Sequence, residues 1–143
     1  MYNTPEDVLE SSLLEEIRKD TVATFLLQKS NLTEVQLDTI LASDREGNLD
    51  FKRGFRENRR VSKGSFARTL NQGHSNIESS VYTLFLLAYL NLVPSESLAQ
   101  FSRTSRMLSQ LKEARADRGD LIRVIEAMQE FVHGFGRNRK VIL

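Results

Sequence analysis

A chain of 143 residues with no cysteine is long enough to bury a core without staples, and it can form neither a disulfide framework nor a thiolate metal site. The N-terminal "MYNTPEDVLESSLLEEIRKD" lacks the basic start and apolar run of a secretory signal, and the longest nearly apolar run, Val81 to Val93, has 13 residues where a membrane-spanning helix needs about 20, so a cytoplasmic location is expected. The formal charge of +1 hides a segregation: residues 1 to 46 carry ten acids against four bases, whereas Lys52, Arg53, Arg56, Arg59, Arg60, Lys63 and Arg68 are opposed only by Glu57, which makes the local field the relevant quantity for a polyanionic partner.

In chain order, Thr4-Pro5-Glu6-Asp7 opens a first helix, with a capping hydroxyl, a proline at the first position and acids on the positive end of the dipole. Leu9, Leu13, Leu14, Ile17, Val22, Phe25 and Leu26 carry it to about Gln28. Thr33 with Gln36 three residues on predicts a capping box for a second helix, flanked by Leu32 and Leu37 as a hydrophobic staple, and Gly47 is the expected stop. Residues 49 to 58 read as a short helix or ordered loop. From Lys63 to about Asn91 one long helix is predicted, because Phe66, Leu70, Gly73, Ile77, Val81, Leu84 and Ala88 recur at helical spacing. Gly73 on that face permits close approach of another helix at a propensity cost of about 1 kcal/mol.

Pro94 and the serines after it end this helix and begin the next, with Leu98, Phe101, Leu108 and Leu111 as its expected buried residues. A last helix is capped by Asp120, packs through Leu121, Val124, Ile125, Met128 and Val132, and ends at Gly134 and Gly136. With no strand pattern in the sequence, the expected fold is all-α: about five or six helices in one domain, residues 1–136, followed by a basic tail, 137–143.

The segment after Arg60 has the properties of a recognition helix: Val61 can bury before the cap, Ser62 can cap, and Lys63, Ser65, Arg68, Thr69 and Gln72 fall mostly opposite Phe66, Leu70 and Gly73. Arg68 can contact guanine bidentately and Gln72 adenine, while Lys63, Arg59 and Arg60 suit phosphates. "VSKGSFARTL" resembles the turn and recognition helix of bacterial sigma-factor region 4 and response-regulator helix-turn-helix domains, and "LTEVQLDTIL" is similar to the helix that opens them. The "NLDFKRGFRENRR" between them is more basic than the family's supporting helix. The continuation into "NIESSVYTLFLLAYLNLV" resembles small archaeal helix-turn-helix proteins, in which a recognition helix runs into a core helix.

The resemblance implies a double-stranded-DNA-binding regulator or chromatin-associated factor. Lys52, Arg53 and Arg56 lie in the basic stretch, and Arg137, Arg139 and Lys140 of the tail are expected to add general affinity. The competing reading is a helical adaptor that binds a protein partner, with the acidic N-terminal helices as one docking surface. As a central helix, Val81 to Val93 would be buried all round; in a dimer it would pair with its symmetry mate. A homodimer is expected, with the surfaces of the first and last helices as interfaces.

Other motifs carry less. Aligning Gly47 of "SDREGNLDF" with the glycine of a calcium loop puts Ala42 and Arg53 at ligand positions, and the two histidines, His74 and His133, have no second ligand at metal spacing. No nucleophile has an evident base and orienting partner. We therefore expect neither a metal, a cofactor nor an enzyme.

Overall fold

The computed structural model describes residues 13–44, 61–114 and 117–137. Among these, six helices and no strand are present: α1 (Leu13–Lys19), α2 (Thr21–Lys29), α3 (Glu34–Ser43), α4 (Lys63–Tyr89), α5 (Ser95–Ala114) and α6 (Arg118–Gly134). The chain is all-α, as its periodicity indicates. It divides into two compact units, Met1–Ser80 and Val81–Leu143, with the division inside α4.

In the first unit the expected single N-terminal helix is two helices broken at Asp20; its start at Thr4-Pro5 lies outside the described residues. Asp20 has extended backbone and its carboxylate accepts the Ala23 N–H at 3.0 Å, which caps α2. Its own N–H closes α1 on the carbonyls of Glu16 and Ile17. The Thr24 hydroxyl donates to the Ile17 carbonyl at 3.1 Å and ties the two helices together. An aspartate offers the backbone a cap as readily as a helical turn, and here the cap wins. An exposed ion pair between Arg18 and Glu34 links α1 to α3, and Leu14 of α1 is buried.

The capping box of α3 forms as the sequence predicts. Thr33 Oγ1 accepts from the Gln36 N–H, and Gln36 Oε1 accepts from the Thr33 N–H, each at 3.1 Å. The helix ends at Ser43, ahead of Gly47: the Asp44 N–H and the Ser43 hydroxyl both close on the Ile40 carbonyl.

The first half of α4 lies antiparallel to α3. Ala42 and Phe66 form a buried cluster with Val61 and Leu70 against it. A Cβ on Gly73 would meet Ile40 Cδ1 at 3.0 Å and Gln36 Cβ at 3.5 Å, so the glycine is what lets the two helices approach at this point. Beyond it a polar clasp takes over. Asn76 Nδ2 donates to Gln36 Oε1 at 3.1 Å and to the Asn31 carbonyl at 2.9 Å, and Asn31 Nδ2 donates to Ser80 Oγ at 3.0 Å. Gln36 therefore serves both the capping box and the helix pair.

In the second unit α4 ends in a Schellman arrangement. Asn91 adopts φ 63°, the Leu92 N–H bonds the Leu87 carbonyl at 2.8 Å and the Asn91 N–H bonds that of Ala88. The Pro94 carbonyl then accepts from Leu98 and opens α5. The cap of α6 is Asp117, whose carboxylate accepts the Asp120 N–H at 2.8 Å. The expected cap, Asp120, sits instead in the first turn, where its charge still complements the dipole. Phe135 meets Phe131 edge to face at 5.5 Å, and Gly136, at φ +74°, lies against Leu87.

Burial in this unit departs from the periodicity. Leu98, Phe101 and Val132 are exposed, as are Val81, Tyr82, Phe85, Leu86 and Tyr89 of α4, so Val81 to Val93 is not buried all round. Val93 and Met128 are the buried hydrophobic side chains among the unit's described residues. No described helix is long and apolar enough to cross a membrane.

Candidate nucleic-acid interface

The N-terminus of α4 is built by its cap. Ser62 Oγ accepts the Ser65 N–H at 3.1 Å and the Ser62 carbonyl accepts the Phe66 N–H at 2.9 Å, which fixes Lys63 as the first helical residue. The N–H groups of Lys63 and Gly64 then have no acceptor within the helix. Nothing lies within 4 Å of where a Gly64 Cβ would stand, so an anion can approach this positive end of the dipole closely.

Phe66, at 1% exposure, and Gly73 fix which face of α4 is buried. At about 100° per residue, Arg68 stands about 160° from Phe66 around the helix and Gln72 about 120°. Both are exposed. One turn apart on an outward face, a guanidinium and a carboxamide can each make two hydrogen bonds to a base edge. Ser65 is half-buried at the margin of that face. Thr69 departs from the expectation: about 60° from Phe66, it is half-buried on the flank of the packed side. Lys63 is exposed on the other flank, where it suits a phosphate better than a base.

Lys52, Arg53, Arg56, Arg59 and Arg60, and Arg139 and Lys140, lie outside the described residues. Arg137 is exposed in the second unit. Along the first half of α4 the ionisable residues are Lys63, Arg68, His74 and Glu78, so of the seven cations from Lys52 to Arg68 five belong to residues 52–60.

Two contributors were missed in the sequence. Asn76 was legible only as a polar residue inside a helix, and its partners Asn31 and Gln36 are more than 39 positions away. Gly64 carried a signal, a glycine two residues after a capping serine, which marks an unobstructed helix start.

Compared with known proteins, the chain matches no protein-family model, no curated protein and no solved structure.

Proposed function

We propose that this chain is a non-enzymatic cytoplasmic protein that binds double-stranded DNA, a transcriptional regulator or chromatin-associated factor, through the first three turns of α4. The observation that carries the reading is the helix start itself. Ser62 caps it, Phe66 and Gly73 anchor one face, and Arg68 and Gln72 are left exposed one turn apart on another. Anchoring matters because a base contact discriminates only if its side chain is held in register with the groove. Lys63 and the basic residues Lys52, Arg53, Arg56, Arg59 and Arg60 supply phosphate contacts, which position the protein without reading sequence.

Titration of labelled duplex DNA with the full chain at low salt is expected to show binding. The combined Arg59→Ala, Arg60→Ala and Arg68→Ala variant is expected to lose at least about 100-fold in affinity, since each cation contributes a share of the counterion release. Absence of binding by the wild type, or equal binding by the variant, contradicts the reading.

A protein-partner role is the second reading, favoured by the exposed apolar side chains of α4. Purification from cells with nuclease treatment separates the two: a heterologous protein retained after nuclease supports an adaptor, and its loss with the nucleic acid argues against one.

A further inference from the structure

Within α4, the residues from Val81 to Tyr89 have two apolar faces. Leu84, Leu87 and Ala88 are half-buried. Val81, Tyr82, Phe85, Leu86 and Tyr89 are exposed to 44%, 72%, 65%, 57% and 86%. At about 100° per residue these five occupy one arc of about 140°, the width of a helix stripe that ordinarily faces a core. Three aromatic residues at spacings of three and four on an outward face are left largely uncovered by their own subunit.

The size of the stripe is informative. Taking roughly 200 Å² for a whole aromatic residue, the three rings expose on the order of 450 Å², and Val81 and Leu86 raise this to roughly 600 Å² per copy. That is at the upper end of the apolar patches monomers present, about 300–600 Å². Two such stripes joined face to face remove roughly 1,200 Å² from water, which reaches the range of stable specific interfaces.

Charge selects the partner. From Ser79 to Val93 there is no Asp, Glu, Lys or Arg, and the first charges on either side, Glu78 and Glu96, are both acidic. A nucleic acid or an anionic membrane is held through cations, and the stripe itself carries none. In a two-fold interface every group near the axis meets its own kind, so a charged stripe would repel itself while an uncharged one does not. Val93 and Met128 are the buried hydrophobic side chains among the second unit's described residues, and covering the stripe with a second copy adds to that apolar burial.

We propose that the stripe Val81, Tyr82, Phe85, Leu86 and Tyr89 is the interface of a homodimer, two copies of α4 crossing about a two-fold axis beside Phe85. Phe85 then meets Phe85 of the partner subunit, and Tyr82 faces Tyr89 of the partner subunit. The tyrosine rings bury their bodies and keep their hydroxyls at the wet rim. This places the interface on α4 and not on the first and last helices. It does not rest on DNA binding.

The test is analytical ultracentrifugation of the full chain without nucleic acid, from sub-micromolar to high micromolar concentration. Wild type is expected to reach twice its 16.4 kDa. Phe85→Glu and Tyr89→Glu, each at an exposed position, are expected to keep the wild-type helix content and lose at least about 100-fold in dimer affinity, the loss of one central anchor. Because the chain has no cysteine, Phe85→Cys supplies a second readout: it is expected to form a disulfide-linked dimer under mild oxidation, whereas Ile122→Cys, exposed on α6, is not. A wild type that stays monomeric, assembles beyond a dimer, or pairs only with a different protein overturns the proposal. So does a dimer unaffected by both glutamate variants, or crosslinking at position 122 in place of 85.

Discussion

Phe66→Ala is expected to cost about 3–5 kcal/mol of stability, the usual cost of emptying a filled aromatic site. Phe66 is 1% exposed and anchors the cluster formed with Ala42, Val61 and Leu70. Much of its cost is the cavity: the surrounding groups sit on two helices held at fixed separation by Gly73 against Ile40 and by the Asn76 clasp, so they cannot collapse into the space. A marginally stable domain has only about 5–15 kcal/mol to lose. Urea denaturation followed by far-UV circular dichroism measures it. A loss under about 1 kcal/mol would mean that the α3–α4 pair does not depend on this contact.

The affinity for duplex DNA is expected to fall about a thousandfold between 50 and 200 mM salt. Residues 52 to 68 offer seven cations against one acid. If about six of them neutralise phosphates, the logarithm of the binding constant falls with the logarithm of salt at a slope near −5, which over a fourfold rise in salt gives roughly that factor. Arg68→Ala is expected to reduce the slope by only about one, because a base contact releases no more counterion than its charge allows. Fluorescence anisotropy across a salt series reads both values. A slope near zero would remove phosphate neutralisation from the account altogether.

The sequence was most legible where the physics is local. The Thr33 and Gln36 capping box, the Ser62 cap and the run of α4 each depend on residues within a few positions of one another, and they form as read. Gly73 was also legible, because a glycine on the apolar face of a helix has a packing reason more often than a conformational one. What failed were choices between equivalent local options. Asp20 breaks a helix whose apolar spacing runs straight through it. Asp117 and Asp120 can each accept the orphan N–H groups of α6, and the sequence alone does not say which begins the helix.

Burial failed for another reason. Ile77, Val81, Leu98, Phe101 and Val132 sit at helical spacing yet are exposed, since periodicity marks a face and not the surface that covers it. The interface was half legible. Arg68 and Gln72 hold the outward positions the spacing assigned them, while Thr69, about 60° from Phe66 around the helix, is half-buried.

On the proposed reading Arg68 and Gln72 read sequence, while Lys63 and the basic residues of the 52–60 stretch supply general affinity. Selection of binding sites from a randomised duplex library, run in parallel on wild type and Arg68→Ala, tests it most directly. Phosphates are alike at every base step and groove edges are not. A good bidentate contact is worth about 1–3 kcal/mol of discrimination, so the wild type is expected to select a guanine at one position and the variant to relax preference there alone. The same flat preference from both proteins would contradict sequence reading by α4.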